Sequence, residues 1–191
     1  MPRSPLFKLA MIALLSLGSL GIVSKNFFLT KALSSNKIQV ITDKSRYQEI
    51  RQQLWANNHH IQHFPEQLPH NSKNVRIAYY SGIGQQGSFL QLRLKNSPHT
   101  IQDLLSQYRK TAQHQYQGGD TNNHANLANG VPTTFFYTSD SGRESFPPTY
   151  EILVLDAKDR GSPGFKWNHG YSYGVAIDSS ASEIVYWSEI W

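Results

Sequence analysis

There is no cysteine anywhere in the 191 residues. That absence removes thiol nucleophiles, disulfide frameworks and lipid attachment at a cysteine. It leaves the compartment open, since exported domains also fold without cysteine. Net charge is scarce too, once it is located. The chain carries +5 overall, but Arg3, Lys8, Lys25, Lys31 and Lys37 account for all of it, and from residue 38 onward 13 basic residues meet 13 acidic ones. A neutral domain lacks the footprint of a polyanion binder, so no nucleic-acid partner is expected. The flanking lysines suit a membrane surface better. Internal repeats and low-complexity tracts are absent as well. The length is enough for one domain with a sizeable core.

What is present begins with an uncharged apolar run at residues 9–23, LAMIALLSLGSLGIV, behind Arg3 and Lys8. A short positive segment followed by such a run is an export pattern. Phe27, Phe28 and Leu29 lengthen it towards a membrane span if Lys25 reaches the interface. No A-x-A follows the run directly, which favours a retained single-pass anchor over a cleaved signal. The expected organisation is a basic segment at 1–8, a signal-anchor at 9–29, a linker with a short strand at 30–44, and one α+β domain at 45–191. The domain is expected outside the cytoplasm, although Lys25, Lys31 and Lys37 partly offset the charge bias.

Within the domain, Ser45 and Gln48 resemble a capping box, and Tyr47, Ile50 and Leu54 recur at helical spacing. Half of the eight histidines then fall in HHIQHFPEQLPHN, residues 59–71. His59 and His63 would share a helix face and chelate a metal, but Phe64-Pro65 ends the helix there and no nearby Asp or Cys supplies a further ligand. The segment reads better as a turn anchored by Ile61, Phe64 and Leu68. Two strand-like runs follow, joined by the glycine-rich turn at 82–87. Ser97 and Pro98 open a second helix, with Ile101, Leu104, Leu105, Tyr108 and Ala112 as its apolar stripe, and Gly118-Gly119 as its stop. A polar loop at 120–130 holds one Asp among four Asn, too little charge for a calcium loop. TTFFYT at 133–138, YEILVLD at 150–156, and the runs 171–178 and 183–191 read as strands, the last two joined by a loop at 179–182. The fold class expected is α+β: a mostly antiparallel sheet of about six strands with two amphipathic helices packed on it, preceded by an N-terminal hydrophobic helix.

Three motifs name chemistry and lose it in context. Gly82-x-Gly84-x-x-Gly87 spells a dinucleotide loop, but the residues after Gly87 alternate as a strand, whereas that loop must open a helix. Gly170-Tyr171-Ser172-Tyr173-Gly174 spells a nucleophile elbow, yet no histidine follows Ser172. Glu151, Asp156, Asp178 and Glu189 lie on or beside the C-terminal strands, where two carboxylates could pair for acid–base work.

Aromatics are concentrated at the C-terminus: Phe165, Trp167, Tyr171, Tyr173, Tyr186, Trp187 and Trp191. Trp167, His169 and Tyr171 form the expected ligand-binding surface, with stacking on a sugar, peptide or lipid headgroup as the chemistry. The competing reading is core and cross-strand pairing. No catalytic residue, metal ligand or cofactor is expected.

The segments HFPEQLPHNSKNVRIAYYSGIGQQGSFLQLRL and YSYGVAIDSSASEIVYWSEIW resemble an uncharacterised bacterial family of small membrane-anchored or exported proteins. With the helix between them, the resemblance covers most of the chain after residue 59. It implies an apolar N-terminal segment followed by one compact domain, and carries over no site residue. The functional expectation is a non-enzymatic domain tethered at the cell envelope. Its partners would be the membrane, through the N-terminal helix, and a ligand or protein at the loops. The alternative is an envelope hydrolase using His169 and a C-terminal acid; a third is an assembly partner in a membrane complex.

Overall fold

The computed structural model describes residues 40–57, 60–82, 87–119 and 124–191. The expected N-terminal helix, His59, Ile83 and residues 120–123 lie outside that description. The first described element starts at Asp43, whose carboxylate accepts the Ser45 N–H at 2.9 Å and caps a 3-10 turn, Lys44–Arg46. Helix α1, Tyr47–Ala56, continues from it with Tyr47, Ile50 and Leu54 buried. The cap is therefore Asp43, not the expected Ser45 with Gln48. An ionised carboxylate is the stronger acceptor for the free N–H groups of a first turn.

Strands β1 (Lys73–Tyr80) and β2 (Ser88–Lys95) pair antiparallel and close with Tyr80 opposite Phe89. Gly87 lies so near the Ile190 carbonyl that a Cβ would stand 2.4 Å from it. A strand, not a helix, thus follows the glycine-rich turn, and the dinucleotide reading loses its anion-binding helix end. Helix α2, Pro98–Thr111, has Ser97 as cap, its hydroxyl accepting the Thr100 N–H at 3.1 Å. The helix stops at Thr111, seven residues before the expected glycine pair. Residues His114–Gln117 instead form strand β3 on the edge of β4, Glu151–Asp159. HQYQ is short and mostly polar, so it carries no strand signature of its own; pairing with β4 dictates its state. Strands β5 (Gly170–Asp178) and β6 (Glu183–Ile190) complete one sheet in the order β1-β2-β6-β5-β4-β3, with every neighbouring pair antiparallel. The fold class is α+β, an open antiparallel six-stranded sheet with two helices.

Each strand sends alternate residues to opposite faces. One face carries Ile77, Tyr79, Leu90, Leu92, Leu94, Val175, Ile177, Ile184 and Tyr186, packed with α1, α2, Ile61 and Phe64 in one core. The histidine-rich turn is thus anchored by Ile61 and Phe64, with partly buried Leu68 beside them. The other face carries Ile152, Val154, Ala176, Val185 and Trp187. Among the described residues no helix covers it; its cover is the chain from 131 to 150, which contributes Val131, Phe136, Phe146 and Tyr150.

That cover corrects the strand expected at 133–138. The segment has high β-propensity, but it makes no ladder. Its polar groups are met by a side chain instead. Gln91, fully buried on β2, donates to the Phe135 carbonyl at 2.7 Å, and its Oε1 accepts from Thr138 N–H (2.9 Å) and Thr138 hydroxyl (2.8 Å). One amide thereby replaces the ladder partners that the segment would otherwise need. Alternation along β2 sets Gln91, Arg93 and Lys95 opposite Leu90, Leu92 and Leu94, the polar side of a half-buried strand, yet Gln91 is fully buried because it serves this loop.

The register also fixes two ends. Tyr80, Phe89, Ile190, Tyr171 and Asp159 meet at one; Lys95, Glu183, Asp178 and Glu151 meet at the other. The chain joins the sheet at the first end, where Ile41 and Tyr79 exchange backbone hydrogen bonds of 2.8 and 2.9 Å.

Candidate functional site

The second end, on the loop-covered face, holds a cleft of about 340 Å³. Its floor is a cross-strand row of Lys95, Glu183 and Asp178, contributed by β2, β6 and β5. Its wall is the loop carrying Phe136, Ser139, Asp140, Ser141 and Arg143, with Tyr150 and Pro147 closing the side. The floor follows from the sequence locally, whereas the wall depends on partners more than 40 positions away. The alternation of β2 and β6 points their charged residues to this face, and Gln91 and Arg93 hold the loop above them.

Arg93 is the centre of the charge pattern. Its Nε lies 2.8 Å from Glu183 Oε1, its Nη1 reaches Asp140 Oδ2 at 2.8 Å and the Thr138 carbonyl at 3.0 Å, and its guanidinium lies over the Phe136 ring. Burial alone would lower its pKa, but Glu183 and Asp140 outweigh that and raise it. Glu183 also accepts a hydrogen bond from the Tyr150 hydroxyl and is 1% exposed. Asp140 takes a second cation, Arg76, at 3.0 Å; against the cost of burial, the two arginines hold its carboxyl below the usual range. Asp178 behaves likewise. Burial would raise its pKa, but Ser180 Oγ (2.6 Å), Thr149 Oγ1 (2.6 Å) and the Ala181 N–H (3.0 Å) prevail and lower it.

All three acids of the cleft are therefore engaged by donors. Asp140 and Asp178 are moreover held ionised, the wrong state for a general acid. Lys95 and Arg143 line the cleft and take part in none of these acid contacts. Ser139 and Ser141 are 3.2 Å apart and bonded to each other, with no histidine lining the cleft. Such an arrangement can hold a polar ligand and offers it two cations. It contains no nucleophile–base pair.

The residues expected to bind ligand lie at the other end. Trp167 is half-buried against the loop-covered core, and its carbonyl accepts the Trp191 indole N–H at 2.6 Å. His169 is exposed in the 160–169 loop, its carbonyl accepting the Arg160 N–H at 2.8 Å. Tyr171 is 8% exposed and belongs to the helix-covered side, where its hydroxyl donates to Asp156 at 2.9 Å and its ring stacks on His60 at 3.9 Å. Trp167 and Tyr171 thus work on opposite faces, and the three do not surround one cavity. The four candidate acids are dispersed: Glu151 pairs with Arg109, Asp156 with Tyr171, Asp178 with hydroxyls, and Glu189 with the Tyr137 hydroxyl. Ser172 is fully buried mid-strand. Among the described residues no group of three histidines and acids is placed to hold a metal.

His63 has a structural post. Gly174 and Trp187 are cross-strand partners whose side-chain positions both face the loop-covered side, leaving a slot on the helix-covered side. His63 fills it. Its Nε2 lies 3.1 Å from the Gly174 carbonyl and 3.0 Å from the Trp187 carbonyl, so that nitrogen carries the hydrogen. Its Nδ1 is enclosed without a hydrogen-bond partner. Burial, against the help of the two carbonyls and with a smaller push from His60, pulls its pKa down from 6.5 to about 4. In the unfolded chain it titrates near 6.5, so between those values the unfolded state binds more protons. The stability His63 lends is complete above 6.5 and is lost as pH falls towards 4. The residue as a whole is half-buried, so the expected loss is roughly 2 kcal/mol, less than the full shift implies. Denaturation from pH 7 to pH 4 should show that slope, and His63→Gln should flatten it; equal slopes would contradict the assignment.

Comparison with protein-family models, curated proteins and solved structures finds no match to this chain. The functional reading accordingly rests on the geometry.

Proposed function

We propose that the protein is a membrane-tethered, extracytoplasmic binding domain without catalysis, and that its cleft takes a small polar anion. The tether is the apolar segment at 9–29; among the described residues no helix is long and apolar enough to cross a membrane. The observation that carries the binding reading is the charge arrangement of the cleft. Asp140 and Glu183 are each paired with arginine, Asp178 keeps its charge among neutral donors, and Lys95 and Arg143 make no ion pair among the described residues, which leaves two cations against one carboxylate for a ligand. The hydrolase alternative draws little support from this layout. His169 precedes β5 at one end and Asp178 closes it at the other, about 30 Å apart along a strand, while Glu189 and Asp156, at the His169 end, are held by the Tyr137 and Tyr171 hydroxyls.

Thermal melting of the full chain in detergent, against a panel of organic acids and matched neutral sugars, tests the reading. A ligand present at about 100 times its Kd should stabilise by about 2.7 kcal/mol. The expected result is stabilisation by acids only, weakened by Arg143→Gln. Stabilisation by neutral sugars equally well, or retention of the effect in the variant, would oppose it. Consumption of the ligand would favour the hydrolase.

A further inference from the structure

Three large apolar side chains are exposed among the described residues: Phe165 (69%), Trp55 (52%) and Leu127 (56%). Leu127 belongs to the turn after His124, beside Tyr116 of β3. The other two share the end of the sheet opposite the cleft. Phe165 is in the loop from Asp159 to Gly170, the two residues that close β4 against β5 at that end. Trp55 follows Leu54, which lines a small void with Tyr79, Ser88, Phe89, Leu90 and Ser188, all near the same end.

The exposure of Phe165 is built. Its N–H donates to the Ser162 carbonyl at 2.9 Å, its carbonyl accepts the Asn168 N–H at 3.3 Å, and Asp159 accepts the Gly161 N–H at 2.7 Å. The Trp191 indole pins the loop at Trp167. The backbone is thus satisfied internally while the ring points out, an arrangement that costs solvation unless something covers the ring.

Charge at this end favours cations. Glu49 is paired with Arg46, while Asp43, Asp156 and Asp159 accept only from neutral donors and keep their charge, and the exposed Lys158 and Arg160 stand beside Asp159. Lys44 and Lys166 are exposed, and the Arg51 guanidinium rests 5.3 Å from the Trp55 ring centroid. Aromatic tips flanked by available cations are what an anionic lipid surface accepts. The chain also enters the fold here, at Ile41.

We infer that this end of the sheet docks on an anionic bilayer, with Phe165 and Trp55 entering the headgroup region and Lys44 and Lys166 facing lipid phosphates. The cleft, at the other end, then faces away from the membrane. The inference rests on the tethered reading above and adds an orientation to it.

The absence of cysteine allows a single probe to be placed cleanly. Phe165→Cys and His99→Cys, the latter at the start of α2 beside the cleft end, each receive an environment-sensitive fluorophore. The full chain is reconstituted in phosphatidylcholine vesicles with or without phosphatidylglycerol. Nitroxide-labelled lipid should quench the probe at 165 about fivefold more than the probe at 99, since strands of eight or nine residues separate the two by roughly 25 Å. Lys166→Glu should reduce quenching at 165, as should omission of phosphatidylglycerol. If the chain sediments with vesicles but both probes are quenched alike, the docking surface is wrong and the tether stands. Quenching unaffected by Lys166→Glu and lipid charge would overturn the anionic partner. Shielding of probe 165 that rises with protein-to-lipid ratio would mean a second copy covers it, against the inference. A chain that stays in solution would overturn the tether itself.

Discussion

Arg93→Met is expected to cost the fold about 3–5 kcal/mol, the range for removing one partner of a buried ion pair. Methionine keeps most of the stem's volume, so the loss isolates the charge. Glu183, 1% exposed on β6, would keep only the Tyr150 hydroxyl as donor, and the Thr138 carbonyl would lose the arginine above it. Asp140 would keep Arg76, so the damage concentrates at the floor of the cleft. Chemical denaturation of the full chain reads the effect. Arg93→Met combined with Glu183→Met should recover much of it, because a buried pair replaced by apolar groups leaves no charge stranded. A loss under about 1 kcal/mol, or a double variant as unstable as the sum of both singles, would mean that the pair is more solvated than its geometry implies.

Gly174→Ala should do comparable harm through sterics alone. A Cβ there would stand 2.2 Å from the Leu153 carbonyl oxygen and 2.8 and 3.0 Å from two atoms of the Trp187 ring. The carbonyl belongs to β4 and cannot yield without breaking the β4–β5 register, and Trp187 is fully buried. Overpacking of this kind costs typically 1–3 kcal/mol in a core that can shift, and more where backbone is struck. About 4 kcal/mol is expected, with Gly174→Ala plus Trp187→Phe restoring only the ring's share. Folding within 1 kcal/mol of the parent would show that β5 moves freely. The result bears on function, because Gly174 is the last glycine of the G-x-S-x-G string. Its reason for being glycine is the Leu153 carbonyl and the indole beside it, and Ser172 two residues earlier is buried in the same strand. A catalytic motif is thereby accounted for as packing.

The elements that were legible in the sequence are those whose signal is local. Helix α2 shows itself through Ser97-Pro98 and an apolar stripe. Strands β5 and β6 show themselves through alternation, and their register puts Trp187 and Tyr186 on opposite faces as that alternation requires. What was not legible depends on distant partners. Residues 133–138 have strand composition, yet Gln91, more than 40 positions earlier, takes their hydrogen bonds. Strand β3 is a strand only because β4 offers an edge. The cleft was missed for the same reason. Arg93 and Lys95 read as the wet side of a half-buried strand, and nothing local says that a loop with Asp140 and Arg143 returns over them. Trp167, His169 and Tyr171 were grouped by proximity in sequence, and the β4–β5 connection distributes them around a sheet end instead. One signal was available: Glu183 and Asp178 flank a four-residue hairpin loop, which places two acids opposite each other in any antiparallel register.

The most direct measurement is hydrogen–deuterium exchange on the full chain in detergent, with and without the organic acid that raises its melting temperature most. If the cleft is the binding site, amides of residues 136–144 and of the 179–182 hairpin should gain protection, while the 160–169 loop should not change. Protection confined to the 160–169 loop, or none in the cleft at saturating ligand, would contradict the account.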